Sequence, residues 1–227
     1  MKAYLELSEI ELMEQVAGNP RDRLLIRLLS HLGCRVSEVL ALKVEDIDFE
    51  RSTATILHLK RSMKISCPQC RVRLGNRHQF CPECGIKVSK RIKSQQERRL
   101  IRLLPIDGTT LEMTKVYIGA LSPVDGKSRL FNINRHRAWQ IVRDCARRAR
   151  LPSLVNPETG RVRSISPHRL RDAFSVHAMK IDDSGDGLRL LQEHLGHLSF
   201  NTTARYRKIA GEEHRQWYNR LWPNRPC

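Results

Sequence analysis

Residues 166–172 of this chain are Ser-Pro-His-Arg-Leu-Arg-Asp. Ser166 and Pro167 predict the start of a helix, because serine caps helix N-termini and proline is tolerated at the first helical position. His168 and Arg171 are three residues apart, so on a helix they share a face. His168 falls in the first turn, where backbone N–H groups favour a phosphate. The stretch therefore predicts a helix whose N-terminal face binds anions.

A second polar stretch, residues 195–206, is Leu-Gly-His-Leu-Ser-Phe-Asn-Thr-Thr-Ala-Arg-Tyr. His197 and Tyr206 are nine residues apart in it. Arg205 and Arg207 flank the tyrosine, where they lower the free energy of a phenolate and attract phosphate. Tyr206 is therefore the tyrosine whose surroundings suit a nucleophile.

A third polar stretch, residues 33–38, is Gly-Cys-Arg-Val-Ser-Glu and contributes Arg35. The three stretches together hold the residue types that phosphodiester transfer needs in the absence of a catalytic metal. Arginines hold the nonbridging oxygens as charge builds in the transition state. A tyrosine can form a covalent intermediate, a histidine can help it lose its proton, and a lysine can protonate the leaving 5′ oxygen.

The composition also indicates a polyanionic partner. Among 227 residues, 41 are Lys or Arg and 24 are Asp or Glu, which gives a net charge of +17. Phosphates attract such an excess without any reading of sequence, so nucleic acid is favoured over an anionic membrane surface. No segment is apolar for long enough to span a bilayer, and the acidic N-terminus is unlike a secretory signal. The sequence therefore predicts a cytoplasmic, reducing location, in which seven cysteines are not a disulfide set.

Four of the cysteines form two C-x-x-C pairs. Cys67 and Cys70 enclose Pro-Gln, Cys81 and Cys84 enclose Pro-Glu, and ten residues separate the pairs. Two such turns present the four thiolates that tetrahedral Zn²⁺ prefers, and they resemble the knuckles of zinc ribbons. His78 lies between the pairs, but four cysteines already complete a site. A redox pair or free thiols are the alternatives, and the fully thiolate ligand set predicts one structural zinc ion per chain.

Helical periodicity dominates the rest of the chain. We expect Ser8 to cap the first helix and Gly33 to end the second. A helix in the second half has Cys145 on its apolar face, as a small core residue, and a basic opposite face. The predicted helices are Leu7–Val16, Arg21–Leu32, Ser37–Leu42 and Arg135–Arg150, and the predicted strands are Thr53–Leu59 and Leu100–Leu104, the latter closed by Pro105.

The three polar stretches resemble the tyrosine recombinase family of phage integrases and Xer-type resolvases. Residues 33–38 are similar to the family's G-x-R-x-S-E motif, and residues 167–172 contain its H-x-x-R. Residues 195–206 resemble the stretch that links the last histidine to the nucleophile. The resemblance implies a mainly α fold with a small antiparallel β-sheet (α+β). The catalytic domain would then span residues 1–227, with the four-cysteine ribbon, residues 65–92, inserted in its β-hairpin.

The resemblance also implies the chemistry. Tyr206 would attack a DNA phosphate to give a 3′-phosphotyrosine and a free 5′-OH, and another 5′-OH would reverse the step without ATP or a catalytic metal. Lys60 follows the first strand, as the family's catalytic lysine does, although Lys64 and Lys93 are rivals because the ribbon opens the same hairpin. Glu38 falls where the family places a carboxylate that braces the arginines. The implied catalytic residues are Arg35, Lys60, His168, Arg171, His197 and Tyr206.

Several features leave alternatives open. The family commonly has histidine where this chain has Asp172, and its helical N-terminal domain is not found before the first motif. A type IB topoisomerase uses similar residues, and a non-catalytic DNA-binding regulator could keep the fold. The implied partners are double-stranded DNA and further copies of the chain in a tetramer on DNA, with no membrane. The C-terminal apolar stripe that would dock on a neighbouring protomer, or on its own core, is Trp217, Tyr218, Leu221 and Trp222.

The ribbon and its stems are strongly basic. Residues 60–102 contain thirteen Lys or Arg and two Glu, whereas a zinc ion with four thiolate ligands offsets only two positive charges. Two hypotheses follow. The ribbon either contacts DNA phosphates through residues such as Arg71, Arg73 and Arg77, or it is a rigid spacer that orders the hairpin.

Overall fold

The computed structural model describes residues 2–57, 65–75, 78–88, 101–121, 125–156, 159–197 and 202–203. The chain divides into two compact units. One comprises Met1–Ile56 with Arg102–Cys227, and the other is Leu57–Ile101, which contains the four paired cysteines.

The first unit is mainly helical, as the sequence predicts. A short 3₁₀ helix, Val44–Asp46, follows the third helix. None of the helices in the described ranges is both long and apolar enough to cross a bilayer. The α-helices are α1 (Leu7–Gln15), α2 (Pro20–His31), α3 (Val36–Val39), α4 (Gly108–Ala120), α5 (Arg135–Arg148), α6 (Pro167–Ile181) and α7 (Gly185–Leu195).

The strands are short and form three small sheets. A three-stranded sheet has the order β1-β2-β5, and β1 pairs with β2 antiparallel. The other two sheets are the antiparallel hairpins β3–β4 and β6–β7. The predicted fold class, mainly α with a small antiparallel sheet, is confirmed. The strands are β1 (Ile47–Asp48), β2 (Thr53–Leu57), β3 (Ile65–Ser66), β4 (Arg73–Leu74), β5 (Ile101–Pro105), β6 (Leu154–Val155) and β7 (Val162–Arg163).

The helix starts follow from their capping residues, and one prediction was wrong. Glu6 rather than Ser8 is the N-cap of α1, because the Glu9 carboxylate accepts from the Glu6 backbone N–H at 2.9 Å. Such a reciprocal cap satisfies a donor that the first turn leaves unpaired. Ser166 is the N-cap of α6 and Pro167 is its first residue, as predicted.

Some predicted boundaries shift. The third helix ends at Val39 instead of Leu42. The last residues of the strand predicted to reach Leu59 lie outside the described residues, and β2 ends at Leu57. Pro105 was predicted to close the second strand but belongs to β5. β5 is at one end of its sheet, and an edge strand tolerates a residue that has no N–H.

Helix α2 is the centre of the core. Leu24, Leu25, Ile26, Leu28 and Leu29 on it are all buried, so the apolar side of this helix is enclosed by other elements. Helices α1, α4 and α6 pack directly against it. The C-terminal end of α2 is consequently held firmly, and it contributes to the candidate site.

Candidate active site and metal centre

Two helix ends supply the frame of the site. Helix α2 ends at His31 with Leu32 as its C-cap, and Gly33 follows in the left-handed conformation with φ +55°. A Cβ at Gly33 would lie 2.4 Å from Cδ1 of Phe174, so only glycine fits there. Helix α7 ends at Leu195, and its C-cap, Gly196, is left-handed with φ +63°. The last carbonyl groups of both helices have no partner within their own helix and must find one elsewhere.

Arg171 satisfies one carbonyl from each of these helix ends. Its Nη1 donates to the Gly33 carbonyl at 2.7 Å, and its Nη2 donates to the Leu195 carbonyl at 2.9 Å. The residue is only 2% exposed. A cation is stabilised at helix C-termini because both their carbonyl groups and their dipoles are negative. Arg171 therefore fastens α6 to the ends of α2 and α7.

His197 lies beside Arg171. Its Nε2 is 3.0 Å from Arg171 Nη2, and its Nδ1 is 2.9 Å from the Thr203 hydroxyl oxygen. The His197 backbone is held as well, because its N–H donates to the Gln192 carbonyl and its carbonyl accepts from the Gln192 side chain. The structure thus brings Arg171 and His197 together, although 26 residues separate them in the sequence.

Arg35 is held by Glu38. The N-cap of α3 is Arg35, whose Nη1 is 2.8 Å from Glu38 Oε1 and whose backbone N–H donates to Oε2 at 3.0 Å. Burial alone would raise the pKa of Glu38. The charge of Arg102 and the hydrogen bonds from Arg35 outweigh that effect and hold the pKa below its ordinary value. Glu38 is therefore a buried carboxylate that orients the Arg35 guanidinium.

Arg102 on β5 is part of the same network, and sequence reasoning missed it. Its Nη2 donates to Glu38 Oε2 at 2.8 Å, and its Nη1 donates to the His194 carbonyl at the end of α7. A Cβ at Gly196 would lie 3.0 Å from Arg102 Nε, so the guanidinium also packs against the turn before His197. In the sequence, Arg102 is one of many cations around the ribbon, and nothing distinguishes it from them.

The arginines share one neighbourhood around Cys34. Burial raises the pKa of this thiol to about 12, and the charges of Arg102, Glu38, Arg171 and Arg35 all act on it. The thiol is fully buried, as expected of a structural residue. Its position indicates that the two arginines predicted from separate motifs lie close to a common centre.

His168 differs from Arg171 in its surroundings. Its side chain is 54% exposed, and its Nδ1 is 3.9 Å from Asp172 Oδ1. Asp172 Oδ2 accepts from Arg169 at 2.5 Å. The residue that departs from the family pattern, Asp172, thus ties together two basic neighbours on α6.

His194, which precedes the second motif, is structural. Its ring stacks on Phe174 with centroids 4.8 Å apart, and its Nε2 is 3.0 Å from the Leu32 carbonyl oxygen. Burial lowers its pKa, and the charges of Arg102 and Arg171 lower it further. His194 thus joins α7 to the end of α2 as a neutral ring.

Four predicted site residues cannot be placed. Lys60, its rivals Lys64 and Lys93, and the predicted nucleophile Tyr206 lie outside the described residues. The apolar stripe at the C-terminus lies outside them too. Their roles remain predictions from the sequence.

The four paired cysteines converge within the second unit. The Sγ atoms of Cys67, Cys70, Cys81 and Cys84 all lie within 4.8 Å of one another, and this group can hold a metal ion. Backbone N–H groups of Cys70 and Gln69 lower the pKa of the Cys67 thiol to about 6. Burial and hydrogen bonds with the other thiols raise the pKa of Cys70 to about 12, so a metal ion that binds the cluster must displace the protons that the thiols share.

The two knuckles have the same backbone geometry. Arg71 N–H donates to the Cys67 carbonyl at 2.9 Å, as Gly85 N–H does to the Cys81 carbonyl at 3.0 Å. Both residues are left-handed, with φ +61° at Arg71 and +72° at Gly85. Glycine adopts this conformation freely, whereas arginine does so at a cost. The first knuckle therefore adopts the same left-handed backbone conformation as the second, although its residue at that position is an arginine.

Helix α5 presents a basic face. Arg143 and Arg147 on the helix are exposed, as is Arg150 just after its end, and the Arg143 guanidinium lies 4.5 Å from the ring centroid of Trp139. On the opposite face, Cys145 is fully buried, which confirms the predicted division of this helix. The basic face is a candidate nucleic-acid interface.

The chain belongs to the phage integrase family, because residues 4–213 match the family's sequence profile. The tyrosine recombinase XerA of Pyrococcus horikoshii is 26% identical over 208 residues, which cover 92% of this chain and 57% of that protein. The tyrosine recombinase XerD of Staphylococcus saprophyticus is 24% identical over 213 residues, which cover 89% and 55%. The chain spans just over half the length of these relatives.

Solved structures show the same fold. A crystal structure of XerA recombinase has a TM-score of 0.65 and 18% identity, covering 99% of this chain and 67% of that one. XerH site-specific recombinase bound to palindromic difH substrate, in a post-cleavage complex, has a TM-score of 0.61 and 20% identity, covering 98% of this chain and 54% of that one. The catalytic domain of bacteriophage HP1 integrase has a TM-score of 0.53 and 18% identity, covering 99% and 100%.

Proposed function

We propose that this chain is the catalytic part of a site-specific DNA recombinase that cuts and rejoins strands through Tyr206. The observation that carries the proposal is the convergence of Arg35, Arg171 and His197. They come from three separate motifs, yet they lie around two helix ends and one buried carboxylate. Relatives named tyrosine recombinases and a structural neighbour captured after cleavage of DNA support the same conclusion.

The proposed mechanism assigns each group one task. Arg35 and Arg171 stabilise the charge on the nonbridging oxygens of the scissile phosphate. The Tyr206 oxygen attacks phosphorus, and the bond from phosphorus to the 5′ oxygen breaks. The phenolic proton passes to a histidine, and Lys60 gives a proton to the leaving 5′ oxygen. A 5′-OH from a second strand then reverses the step, so the bond energy is conserved in the phosphotyrosine.

Rigid support of the arginines fits this mechanism. A donor aimed in advance at a developing charge is worth about 3–4 kcal/mol in the transition state, because little reorganisation is needed during the reaction. Glu38 fixes Arg35, and two backbone carbonyls fix Arg171. The exposed cations of α5, including Arg143 and Arg147, would supply the sequence-independent attraction to DNA phosphates.

Trapping of a covalent adduct tests the proposal. The full chain is incubated with a pool of nicked duplexes of randomised sequence, in which the released fragment diffuses away after cleavage. The parent should form an adduct that survives denaturing electrophoresis. Tyr206→Phe should form none but should bind DNA as the parent does, whereas Tyr4→Phe, which keeps the ring that contacts Lys180, should react normally. Adducts of equal yield from Tyr206→Phe would refute the assignment.

A second step separates recombination from topoisomerase chemistry. Duplexes recovered from the adducts are mixed in pairs that carry different labels. A recombinase joins the strands of the two duplexes, whereas a topoisomerase relaxes supercoiled DNA without exchanging partners. We expect labelled hybrid products and expect the active assembly to be a homo-oligomer, a tetramer, on DNA. Relaxation alone would favour the topoisomerase.

The proposal includes one structural zinc ion, held by the four paired cysteines. A tetrahedral site with Zn–S bonds of about 2.3 Å has sulfur atoms about 3.8 Å apart. All four sulfur atoms lie within 4.8 Å of one another, and two of the pairs are 3.4 and 3.5 Å apart, which is close enough for them to surround such an ion. All the ligands are thiolates, so the ion would order the ribbon and take no part in strand transfer. Such reduced thiolates suit a cytoplasmic protein.

Metal analysis tests the zinc assignment. Purified reduced protein should contain one zinc ion per chain, and Cys81→Ser should lose it. Chelation should abolish the protection of ribbon amides from hydrogen exchange but leave the protection of α2 unchanged. Zinc-free protein with an ordered ribbon would contradict the assignment.

A further inference from the structure

We propose that Thr203 is a positioning residue that fixes the tautomer of His197. Its hydroxyl oxygen accepts the Nδ1 proton of the ring, so Nε2 keeps its lone pair and faces Arg171. The assignment of the tautomer depends only on the hydrogen bonds of the ring, whereas its effect on catalysis rests on the proposed function.

The argument begins with Arg171, since a guanidinium has N–H donors and no acceptor. Its Nη2 lies 3.0 Å from His197 Nε2, so in this hydrogen bond the arginine donates and Nε2 accepts. A nitrogen that accepts carries no proton. The single N–H proton of the neutral ring must therefore be on Nδ1.

Thr203 completes the arrangement on the other side of the ring. Its Oγ1 is 2.9 Å from His197 Nδ1, and a hydroxyl can accept there while turning its own proton elsewhere. Thr203 is fully buried, so a missing acceptor would leave the Nδ1 proton without easy access to water. Arg171 and Thr203 thus favour the same tautomer from opposite sides of the ring, so removal of the Thr203 hydroxyl weakens the preference for a proton on Nδ1.

The consequence concerns the chemistry of His197. With Nδ1 protonated, the nitrogen beside Arg171 is an acceptor rather than a donor. In the proposed reaction His197 would therefore take a proton at Nε2. The hydrogen-bond partner of one ring nitrogen commonly sets the role of the other. Thr203 is also three residues before Tyr206, so this bond anchors the start of the segment that carries the nucleophile.

The direct test measures the ring itself. Nitrogen-15 NMR of the full chain, labelled at histidine, distinguishes protonated from unprotonated ring nitrogens, and the His197→Gln variant identifies the His197 signals. At pH 7.5 the parent should show protonated Nδ1 and unprotonated Nε2. Thr203→Val has nearly the same shape and lacks the acceptor, so the protonated Nδ1 population should fall. The proposal is wrong if the His197 ring of the parent protein is protonated at Nε2, or if Thr203→Val leaves the population protonated at Nδ1 unchanged.

Kinetics supply the second readout. The substrate is the DNA that was isolated from adducts of the parent protein. On this DNA, Thr203→Val should form adducts about 10- to 100-fold more slowly than the parent does, as expected for a misplaced reacting group. Thr203→Ser, which keeps the hydroxyl, should restore most of the rate. Thr202→Val is the matched control, because Thr202 is adjacent and exposed, and its rate should equal that of the parent. Equal rates for Thr203→Val and Thr203→Ser would overturn the positioning role.

The two readouts separate this proposal from the proposed function. If the parent forms no adduct with any duplex but its ring is protonated at Nδ1, strand transfer fails and the assignment of the tautomer stands. If adducts form but the ring is protonated at Nε2, the proposed function stands and the assignment of the tautomer fails. Matching melting temperatures of Thr203→Val and the parent confirm that the comparison is between folded proteins.

Discussion

Replacing Arg102 with methionine should destabilise the fold substantially. The Glu38 side chain is 0% exposed and the Arg102 side chain is 10% exposed, so the substitution removes the partner of a buried carboxylate. Breaking a buried pair costs about 3–5 kcal/mol. Glu38 keeps two hydrogen bonds from Arg35, and we therefore expect the lower end, about 3 kcal/mol. For a unit of this size the melting temperature should fall by roughly 6–12 °C.

Thermal and urea unfolding, followed by circular dichroism, measure this loss. Arg189 is the matched control, because it pairs with Glu193 at 2.8 Å on the exposed face of α7. Arg189→Met should cost less than about 1 kcal/mol. The double variant Glu38→Gln/Arg102→Met should lose less than the sum of its single variants, because Glu38→Gln removes the buried charge that Arg102→Met leaves without its partner. The reasoning fails if Arg102→Met is no more destabilising than Arg189→Met.

Three further predictions concern pH and the ribbon. Folding lowers the pKa of Glu38 from its unfolded value near 4.5, so the ionised carboxylate stabilises the fold above that pH, and this stabilisation is lost as the pH falls through the folded pKa. The stability of Glu38→Gln should therefore fall less steeply than that of the parent protein in an acid titration. Arg71→Gly should relieve the left-handed backbone of the first knuckle and stabilise the ribbon by about 0.5–1 kcal/mol, seen as a higher chelator concentration at half release of zinc. If the ribbon contacts DNA, replacing the exposed Arg73 and Lys87 with glutamine should reduce the slope of log affinity against log salt by up to about two, and an unchanged slope would favour the spacer.

The sequence predicted those parts of the site that depend on local order. Ser166 and Pro167 defined the start of α6, and Gly33 marked the end of α2, because capping and turn residues act within a few positions. The two C-x-x-C pairs predicted a four-cysteine cluster, and these thiols do converge. Boundaries were less accurate, since tertiary contacts decide where a short helix such as α3 stops.

The tertiary parts of the site could not be predicted in the same way. Arg102 contacts Glu38 across 64 residues, and no periodicity relates a strand residue to a distant helix cap. The pairing of Thr203 with His197 was equally hidden, since one hydroxyl near a motif resembles any other. Arg171 was predicted as a phosphate ligand, and its second task of joining two helix ends appears only when the fold is known.

The most direct measurement of the central claim is mass spectrometry of the covalent DNA adduct. The adduct is digested with protease and nuclease, and the peptide that carries a nucleotide is sequenced. We predict a single modified residue, Tyr206, joined through its phenolic oxygen to a 3′-phosphate, with a free 5′-OH on the other DNA fragment. Attachment to a different residue, or a link to a 5′-phosphate, would contradict the account.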